Sequence, residues 1–290
     1  MISFNADVSG VGQSLREFLD RQYVVLRPVR PSSHLQMRVS VKRFEEYLGR
    51  PAMVDDLERL TIAGWLKWLG ERVAPATCKS KRRDLMSLAS LAHTEGLLPI
   101  PLFRVPSPKQ PRRVPEAWTM DQIVQLLTVA RRHPQADVMV ATIAVCWDSC
   151  CRISAVHMAR ASRYDARTGT AWLYESKTRT ERPYDFADST RDALARLPAD
   201  RQRLCGDVCM ASRWRWMGHL LFLAGFPKSS RSKFHRIRRS RYTRLAIDHG
   251  LQVAAAAAGH ASIDMARFYN DTSLYPTPDF VSGLALPKLP

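Results

Sequence analysis

Residues 228–244 read KSSRSKFHRIRRSRYTR, a stretch that holds eight lysines and arginines and no acidic residue. Charge runs usually form solvated surfaces, but apolar residues such as Phe234 and Ile237 are interleaved with these cations. The pattern therefore predicts a folded helix and not a tail. His235 and Arg238 are three residues apart, so they would lie on one face of that helix. Because histidine can carry a proton and arginine can hold a phosphate through two parallel hydrogen bonds, this face is a candidate site for phosphate chemistry.

Four residues outside this stretch could belong to the same site. Arg152 follows a strongly apolar helix, where a charged side chain needs an anionic partner, either an internal carboxylate or a bound phosphate. Taken alone, an internal carboxylate is the commoner partner. Lys177 falls in the turn of a predicted hairpin, His260 follows an alanine-rich helix, and Tyr269 comes nine residues after that histidine. Taken one at a time, such a histidine or tyrosine more often has a structural role.

The charge of the chain indicates a polyanionic partner. The 290 residues include 44 lysines and arginines and 27 acids, which gives a net charge of +17 and a pI near 10.1. Residues 1–115 carry 19 basic and 11 acidic side chains, and the remainder carries 25 and 16. Both halves are therefore basic, unlike a neutral enzyme with a basic tail. Nucleic acid is the commonest polyanion, and the alternative is a soluble protein that is merely basic.

Residues 104–116 predict a linker, because this stretch of thirteen residues holds four prolines and four cations. It would separate a first domain, residues 1–103, from a second, residues 117–290. The first domain is predicted to be wholly helical. Its first helix begins at Ser32 or Ser33 and carries apolar residues at helical spacing, namely Met37, Val41, Phe44 and Leu48. A second helix runs from Leu57 to Leu69. Thr77 caps a third helix, whose buried stripe is Leu85, Leu88 and Ala92.

The second domain is predicted to be mainly helical with a small antiparallel sheet. Thr119 is the predicted N-cap of its first helix, and residues 137–150 form a strongly apolar helix. Residues 170–176 and 182–187 alternate in polarity and carry aromatic side chains, which is typical of a hairpin with residues 177–181 in its turn. Helices resume after the hairpin. The predicted fold class is therefore α+β, mainly α.

The cysteines and apolar segments argue against a metal centre and a membrane anchor. Adjacent Cys150 and Cys151, and a first segment that does not resemble a secretion signal, are typical of reduced intracellular thiols. Cys205 and Cys209 precede His219, but a zinc site would need a better second ligand pair. No apolar run reaches membrane-spanning length. The sequence thus predicts an intracellular protein without a metal site.

Taken together and in order, the candidate residues resemble the tyrosine recombinase (site-specific integrase) family, in its phage-integrase-like and Xer-like forms. That family's pattern is an arginine in GLRISE, a lysine in a β-hairpin, HxxR, and then GH with a tyrosine nine residues further. Lys177 is the only lysine between Arg152 and Lys228, so its assignment is almost forced. The resemblance covers roughly residues 12–275. The matching positions are Arg152 in CCRISA, Lys177 in SKTRTER, His235 and Arg238 in HRIR, His260 in GH, and Tyr269.

Two positions depart from the family's pattern. The acid that normally follows RIS is Ala155 here. That acid supports the first arginine, so the support of Arg152 is expected to differ. The residue after Arg238 is Arg239, where the family often has histidine, which adds charge without removing a core group.

The resemblance implies a DNA strand transferase. Tyr269 would attack a phosphodiester to give a 3′-phosphotyrosyl link and a free 5′-hydroxyl, and a 5′-hydroxyl from another strand would reseal the backbone. Arg152 and Arg238 would hold the nonbridging oxygens, and Lys177 would protonate the leaving oxygen. The two histidines would donate hydrogen bonds, with His235 the better candidate for accepting the tyrosine proton. Because the link conserves bond energy, no ATP, metal or other cofactor is expected.

The resemblance also implies how the protein would engage double-stranded DNA. A helical, SAM-like core-binding domain and the linker would wrap the duplex, and four protomers would assemble on two duplexes through a Holliday junction, with a monomer possible without DNA. Accessory DNA-bending proteins and a cytoplasmic, nucleoid-associated location fit this expectation. Residues 275–290 could dock on a neighbour or on their own domain. The DNA contacts expected from charge and placement are Lys79, Arg82, Arg83, Lys109, Arg112, Arg113, Arg236 and Arg239.

Two other functions use part of the same pattern. A type IB topoisomerase has a similar set of catalytic residues, but the short helical first domain favours the recombinase. A DNA-binding protein with a decayed site is the other alternative, and Ala155 is its only sequence indication. Covalent capture of a nicked duplex would separate the three.

Overall fold

The computed structural model describes residues 12–101, 105–109, 116–227 and 233–259, together with Leu274. The chain divides into two units, Met1–Arg112 and Arg113–Pro290, each with its own hydrophobic core. None of the described helices is long and apolar enough to cross a membrane. A helical first unit and a second unit of helices around a small sheet confirm the predicted fold class.

The described elements of the first unit are helices. Pro31 and Pro75 are the first residues of two of them, because proline fixes φ at a helical value and its missing N–H is not needed in the first turn. Thr77 therefore lies inside its helix and does not cap it, since Ala74 occupies the cap position. The elements are α1 (Leu15–Glu17), a π-helix (Phe18–Tyr23), α2 (Val24–Leu26), α3 (Pro31–Leu48), a 3-10 helix (Val54–Asp56), α4 (Arg59–Gly70) and α5 (Pro75–Thr94).

The predicted apolar stripes form the core of the first unit. Phe44 of α3, Trp65 of α4 and Leu88 of α5 are fully buried in one cluster. A buried polar contact also joins two of these helices, because the Ser40 hydroxyl of α3 donates to Oδ2 of Asp84 in α5 at 2.5 Å. The predicted stripe of α5, Leu85, Leu88 and Ala92, is buried, whereas Lys79 and Arg83 of the same helix are exposed.

The second unit begins with the predicted N-cap. The Thr119 hydroxyl accepts a hydrogen bond from the backbone of Gln122, and the Gln122 side chain accepts one from the Thr119 backbone. This reciprocal pair is a capping box. The helices are α6 (Met120–Ala130), α7 (Ala136–Ser149), α8 (Ile153–Met158), a 3-10 helix (Ala161–Arg163), α9 (Asp188–Ala195), α10 (Met210–Leu223), α11 (Lys233–His249) and α12 (Leu251–Ala257).

Three antiparallel strands in the order β1-β2-β3 form the sheet of the second unit: β1 (Tyr164–Asp165), β2 (Thr170–Glu175) and β3 (Thr180–Asp185). The predicted hairpin is confirmed, with a tighter turn, because Glu175 pairs with Thr180 and only residues 176–179 lie between the strands. β1 is two residues long, too short for an alternation pattern to show it. Ala171, Leu173 and Glu175 are buried on one face of β2.

A fully buried arginine holds part of the second unit together. The Arg213 guanidinium on α10 donates to the backbone carbonyls of Cys205 and Gly206 at 2.9 and 2.7 Å, and to the Thr142 hydroxyl on α7. No part of the Arg213 side chain reaches solvent. These contacts anchor the loop before α10 to the core.

Replacing Arg213 by alanine should lower the free energy of unfolding of the second unit by about 3–5 kcal/mol. The Cys205 carbonyl would lose its donor, at a cost of about 1–3 kcal/mol, and the lost side chain would leave a cavity. The Gly206 carbonyl would keep the backbone N–H of Val208 as a donor. Urea titration followed by circular dichroism measures the change. Arg215→Ala, which removes an exposed arginine from the same helix, is the control. A loss below about 1 kcal/mol for Arg213→Ala would contradict the anchoring role.

Candidate active site

The buried carboxylate of Glu175 binds the first predicted catalytic arginine, Arg152. Arg152 is the N-cap of α8, and its Nη1 lies 2.6 Å from Oε2 of Glu175. The backbone N–H of Arg152 donates to Oε1 of the same carboxylate at 2.9 Å. The predicted anionic partner of Arg152 is therefore an internal carboxylate, supplied by the last residue of β2.

The same carboxylate also contacts the second predicted arginine. Nη1 of Arg238, on α11, lies 3.4 Å from Oε1 of Glu175. Nη2 of Arg238 donates to the carbonyl of Ala258 at 2.8 Å, which ties α11 to the end of α12. The Arg238 side chain is 1% exposed, whereas that of Arg152 is 18% exposed. The fold thus brings together two arginines that are 86 positions apart in the sequence.

Hydrogen bonds and charge hold the carboxyl group of Glu175 ionised. Burial alone would raise its pKa, but the backbone and side-chain hydrogen bonds of Arg152 and the charges of Arg152 and Arg238 outweigh this effect. The pKa of Glu175 therefore lies below its usual value. A carboxylate in this state keeps both guanidinium groups in fixed positions.

His235 lies on the same helix as Arg238, one turn earlier, in a strongly positive environment. Burial lowers the pKa of its imidazole, and the charges of Arg239, Arg238, Arg152 and Lys177 lower it further, to about 4. His235 is therefore neutral at pH 7. Three of these cations, Arg238, Arg152 and Lys177, are predicted catalytic residues.

The depressed pKa of His235 predicts a loss of stability in acid. Between pH 6.5 and about 4 the unfolded chain binds a proton at this imidazole and the folded protein does not, so the free energy of unfolding falls as the pH falls through that range. His235→Asn should reduce this acid sensitivity, as measured by the midpoint of thermal unfolding at pH 7 and at pH 4.5. The same substitution at the exposed His249 is the control. Equal acid sensitivity of His235→Asn and wild type would show that His235 is not buried as a neutral group.

The structure describes one of the three remaining predicted catalytic residues. Lys177 is exposed in the turn between β2 and β3, two residues after Glu175. His260 and Tyr269 lie outside the described residues. The chain reaches them through Gly259, which has a φ of +64°, directly after the Ala258 carbonyl that Arg238 binds. The described part of the site therefore ends next to the predicted histidine.

Glu175 is a site residue that the sequence interpretation missed. Its signal was available, because the alternation of β2 puts Glu175 on the same face as Ala171 and Leu173, where a charged residue needs a partner. Cys205 is buried, and Cys209 is the N-cap of α10. No cluster of metal-ligating side chains occurs among the residues that the structure describes.

Comparison with protein families decides the class of this site. The family model described as the phage integrase family matches residues 116–274, which include all six predicted catalytic positions. This chain belongs to the phage integrase family. It is therefore a tyrosine recombinase, as the motif order predicts. A search of curated protein sequences finds no match.

Solved structures share the fold of this integrase. A lambda integrase tetramer bound to a Holliday junction aligns with a TM-score of 0.75 and 17% identity, over 91% of this chain and 79% of that one. The Tn1549 transposon integrase in complex with a circular intermediate DNA gives 0.71 and 15%, over 89% and 95%. The XerH site-specific recombinase bound to difH gives 0.67 and 16%, over 82% and 76%. At these identities the likeness is one of fold.

The predicted DNA contacts of this integrase fall into four groups. Lys79, Arg83 and Lys109 are exposed. Arg82 and Arg236 have internal partners, because Arg82 donates to the Val105 carbonyl at 2.7 Å, and buried Arg236 pairs with Glu116 and lies 5.5 Å from the centre of the Trp118 ring. Arg239 is half-buried near His235, and Arg112 and Arg113 lie outside the described residues.

Proposed function

We propose that this integrase is a site-specific DNA recombinase in which Tyr269 cuts and rejoins strands through a 3′-phosphotyrosyl intermediate. The observation that carries the proposal is the convergence of Arg152 and Arg238 on one carboxylate, with His235 within the field of both arginines, in a chain of this family. One carboxylate neutralises only one of the two guanidinium charges, so the pair can bind a further anion. The scissile phosphate is the anion that the family's chemistry supplies.

In the cleavage step, the Tyr269 oxygen forms a bond to phosphorus as the bond from phosphorus to the 5′-oxygen breaks. The proton of the phenol passes to His235, which is neutral at pH 7 and so can accept it. A bound phosphate raises the basicity of this imidazole, because its negative charge offsets the surrounding cations. Lys177 donates a proton to the leaving 5′-oxygen. Strand joining reverses the same steps with a 5′-hydroxyl from another strand.

Charge stabilisation by arginine replaces the role that a metal ion has in other phosphoryl transfer enzymes. Arg152 and Arg238 donate to the nonbridging oxygens as negative charge develops there. The phosphotyrosyl bond stores the energy of the broken phosphodiester, so resealing needs no ATP. We therefore propose that the reaction needs neither metal nor nucleotide.

DNA has to change the exposure of Arg238 before both arginines can act. The Arg152 side chain is 18% exposed and can meet a phosphate, whereas the Arg238 side chain is 1% exposed. A phosphate can reach Arg238 only when a group that now covers it moves. Binding of the duplex is thus expected to rearrange the site around Arg238.

We propose that the protein acts on double-stranded DNA as a homotetramer in the cytoplasm. Residues 1–103 are the proposed helical DNA-binding domain, residues 104–116 the linker, and residues 117–290 the catalytic domain with a C-terminal tail. The support for the oligomer is its likeness to a lambda integrase whose solved form is a tetramer on a Holliday junction. The exposed cations Lys79, Arg83 and Lys109 are the proposed phosphate contacts of the first domain and linker. His260 donates a further hydrogen bond to the phosphate.

Covalent capture of DNA tests the proposed function. Fragments of the source genome are nicked lightly and incubated with the protein, so that cleavage near a nick releases a short strand and traps the enzyme on DNA. Complexes that survive denaturant are isolated, and their DNA is sequenced. We expect one shared sequence, joined to protein through its 3′-phosphate and carrying a free 5′-hydroxyl. Complexes at many unrelated sequences would indicate a topoisomerase, and no complex would overturn the proposal.

A further inference from the structure

The start of α8 lacks the residue that would normally stabilise it. Arg152 is the N-cap, and the third residue of the helix is Ala155. In a capping box, a glutamate or glutamine at that third position accepts a hydrogen bond from the backbone N–H of the cap residue. An alanine side chain cannot accept this bond. The backbone N–H of Arg152 therefore needs an acceptor from outside α8.

Glu175 supplies that acceptor from the neighbouring strand. Its Oε1 accepts from the backbone N–H of Arg152 at 2.9 Å, and its Oε2 lies 2.6 Å from Nη1 of the same arginine. The carboxylate also lies 3.4 Å from Nη1 of Arg238. The residue is 7% exposed, so these contacts are shielded from water. One side chain thus fixes the backbone of Arg152 and both guanidinium groups.

The position of Glu175 in the chain links the arginines to the proposed general acid. Glu175 is the last residue of β2, and the turn that carries Lys177 starts with the next residue. Contacts between its carboxylate and α8 therefore hold the end of the strand from which this turn projects. A change at Glu175 would act on the position of Lys177 as well as on the two arginines.

We propose that Glu175 is the positioning residue of the cleavage site, and that it takes over the support of Arg152 that an acid at position 155 would otherwise give. This inference rests on the proposed function. Glu175 does not touch the DNA, and it acts through Arg152, Arg238 and the end of β2. A carboxylate in direct contact with the phosphate would repel it, so the role requires Glu175 to remain bound to the arginines.

The experiment compares the Glu175→Gln variant with the double variant Glu175→Gln, Ala155→Glu. Glutamine keeps the size of the side chain and an oxygen for the Arg152 backbone, but it lacks the charge that orders the guanidinium groups. A glutamate at position 155, the third residue of α8, can accept from the backbone N–H of Arg152 as in a capping box. Because Ala155 is buried, the midpoint of thermal unfolding shows whether the protein accommodates the longer side chain. Single-turnover cleavage and DNA affinity are measured with duplex recovered by covalent capture. The midpoint of thermal unfolding is measured for each protein variant. Glu181→Gln, which removes an exposed partner of Arg163 from β3 of the same sheet, is the matched control.

The Glu175→Gln variant should cleave on the order of 10- to 100-fold more slowly, the size of effect that follows the loss of groups that orient metal ligands. DNA affinity should stay within threefold, because the variant loses no phosphate contact. The double variant should recover most of the lost rate, which a purely structural loss would not do. Cleavage by folded Glu175→Gln at the wild-type rate would overturn the positioning role.

The outcomes for Glu175 differ from those for the proposed function. If wild type forms no covalent complex, the function itself fails, whereas wild-type cleavage with an unaffected Glu175→Gln variant rejects only the role of Glu175. Should Glu175→Gln not fold, the double variant decides: a folded double variant that cleaves supports the role. A folded double variant without cleavage contradicts it.

Discussion

Replacing Tyr269 by phenylalanine should abolish the covalent protein–DNA complex. Phenylalanine has the same ring but lacks the oxygen that would bond to phosphorus, so no phosphotyrosyl link can form. Binding of DNA should be almost unchanged, because only one hydroxyl is lost. Denaturing gel electrophoresis of the protein with the captured duplex measures the complex, and a filter or mobility assay measures binding.

The neighbouring tyrosine provides the control for this substitution. Tyr275 is six residues further along the chain, and Tyr275→Phe should form the complex at close to the wild-type rate. A covalent complex of normal yield with Tyr269→Phe would show that another residue is the nucleophile. Loss of the complex only in Tyr275→Phe would move the nucleophile to that position.

Replacing Arg238 by alanine should slow cleavage by about 100- to 1,000-fold, the usual cost of removing one preorganised donor to a developing negative charge. The effect should fall on the rate of the chemical step more than on DNA affinity, because the interaction strengthens as charge builds up on the phosphate. Arg238→Lys should cleave at an intermediate rate, since lysine keeps the charge but cannot donate two parallel hydrogen bonds.

Burial of Arg238 makes a stability control necessary. Its removal leaves the Ala258 carbonyl without the donor that now lies at 2.8 Å, so the variant is expected to unfold at a lower temperature than wild type. Rates are therefore compared well below the unfolding midpoint of each protein. Arg244→Ala removes an arginine from the same helix, where it is half-exposed and paired with Asp248. Cleavage by Arg238→Ala within threefold of the Arg244→Ala rate would reject the proposed role.

The sequence predicted the main elements of the fold because their signals are local. The stripes of α3 and α5, the Thr119 cap and the β2–β3 hairpin each depend on residues close in the chain. The errors are local as well. Thr77 was expected to be a cap, but Pro75 starts the helix two residues earlier because proline favours its first turn. The two-residue strand β1 is too short to give a pattern.

The support of Arg152 shows where sequence reasoning ended. An anionic partner was predicted from the cost of leaving a charge unpaired, and the structure provides one. Its identity as Glu175 depends on α8 packing against β2 and on α11 bringing Arg238 to the same carboxylate. Such contacts between distant segments are not visible in spacing. The sequence alone therefore indicated that Arg152 loses support at Ala155. In the structure, Glu175 on β2 provides this support.

The internal contacts of Arg236 were also beyond the sequence. HRIR puts Arg236 among phosphate-binding candidates by charge alone, but the fold pairs it with Glu116 beside Trp118. This arginine holds the first described residues of the second unit to α11, where Ser240 also accepts a hydrogen bond from the Trp118 backbone at 2.7 Å. A charged residue in the sequence belongs to a DNA-binding surface only when packing leaves its side chain exposed.

Mass spectrometry of the covalent complex is the most direct test of the nucleophile. Nuclease digestion would leave a short nucleotide on the protein, and trypsin would release residues 268–288, which contain both Tyr269 and Tyr275. Fragmentation of this peptide locates the modified side chain. We predict a nucleotide 3′-phosphate on Tyr269. A nucleotide on Tyr275, on a serine, or on any other peptide would contradict the account.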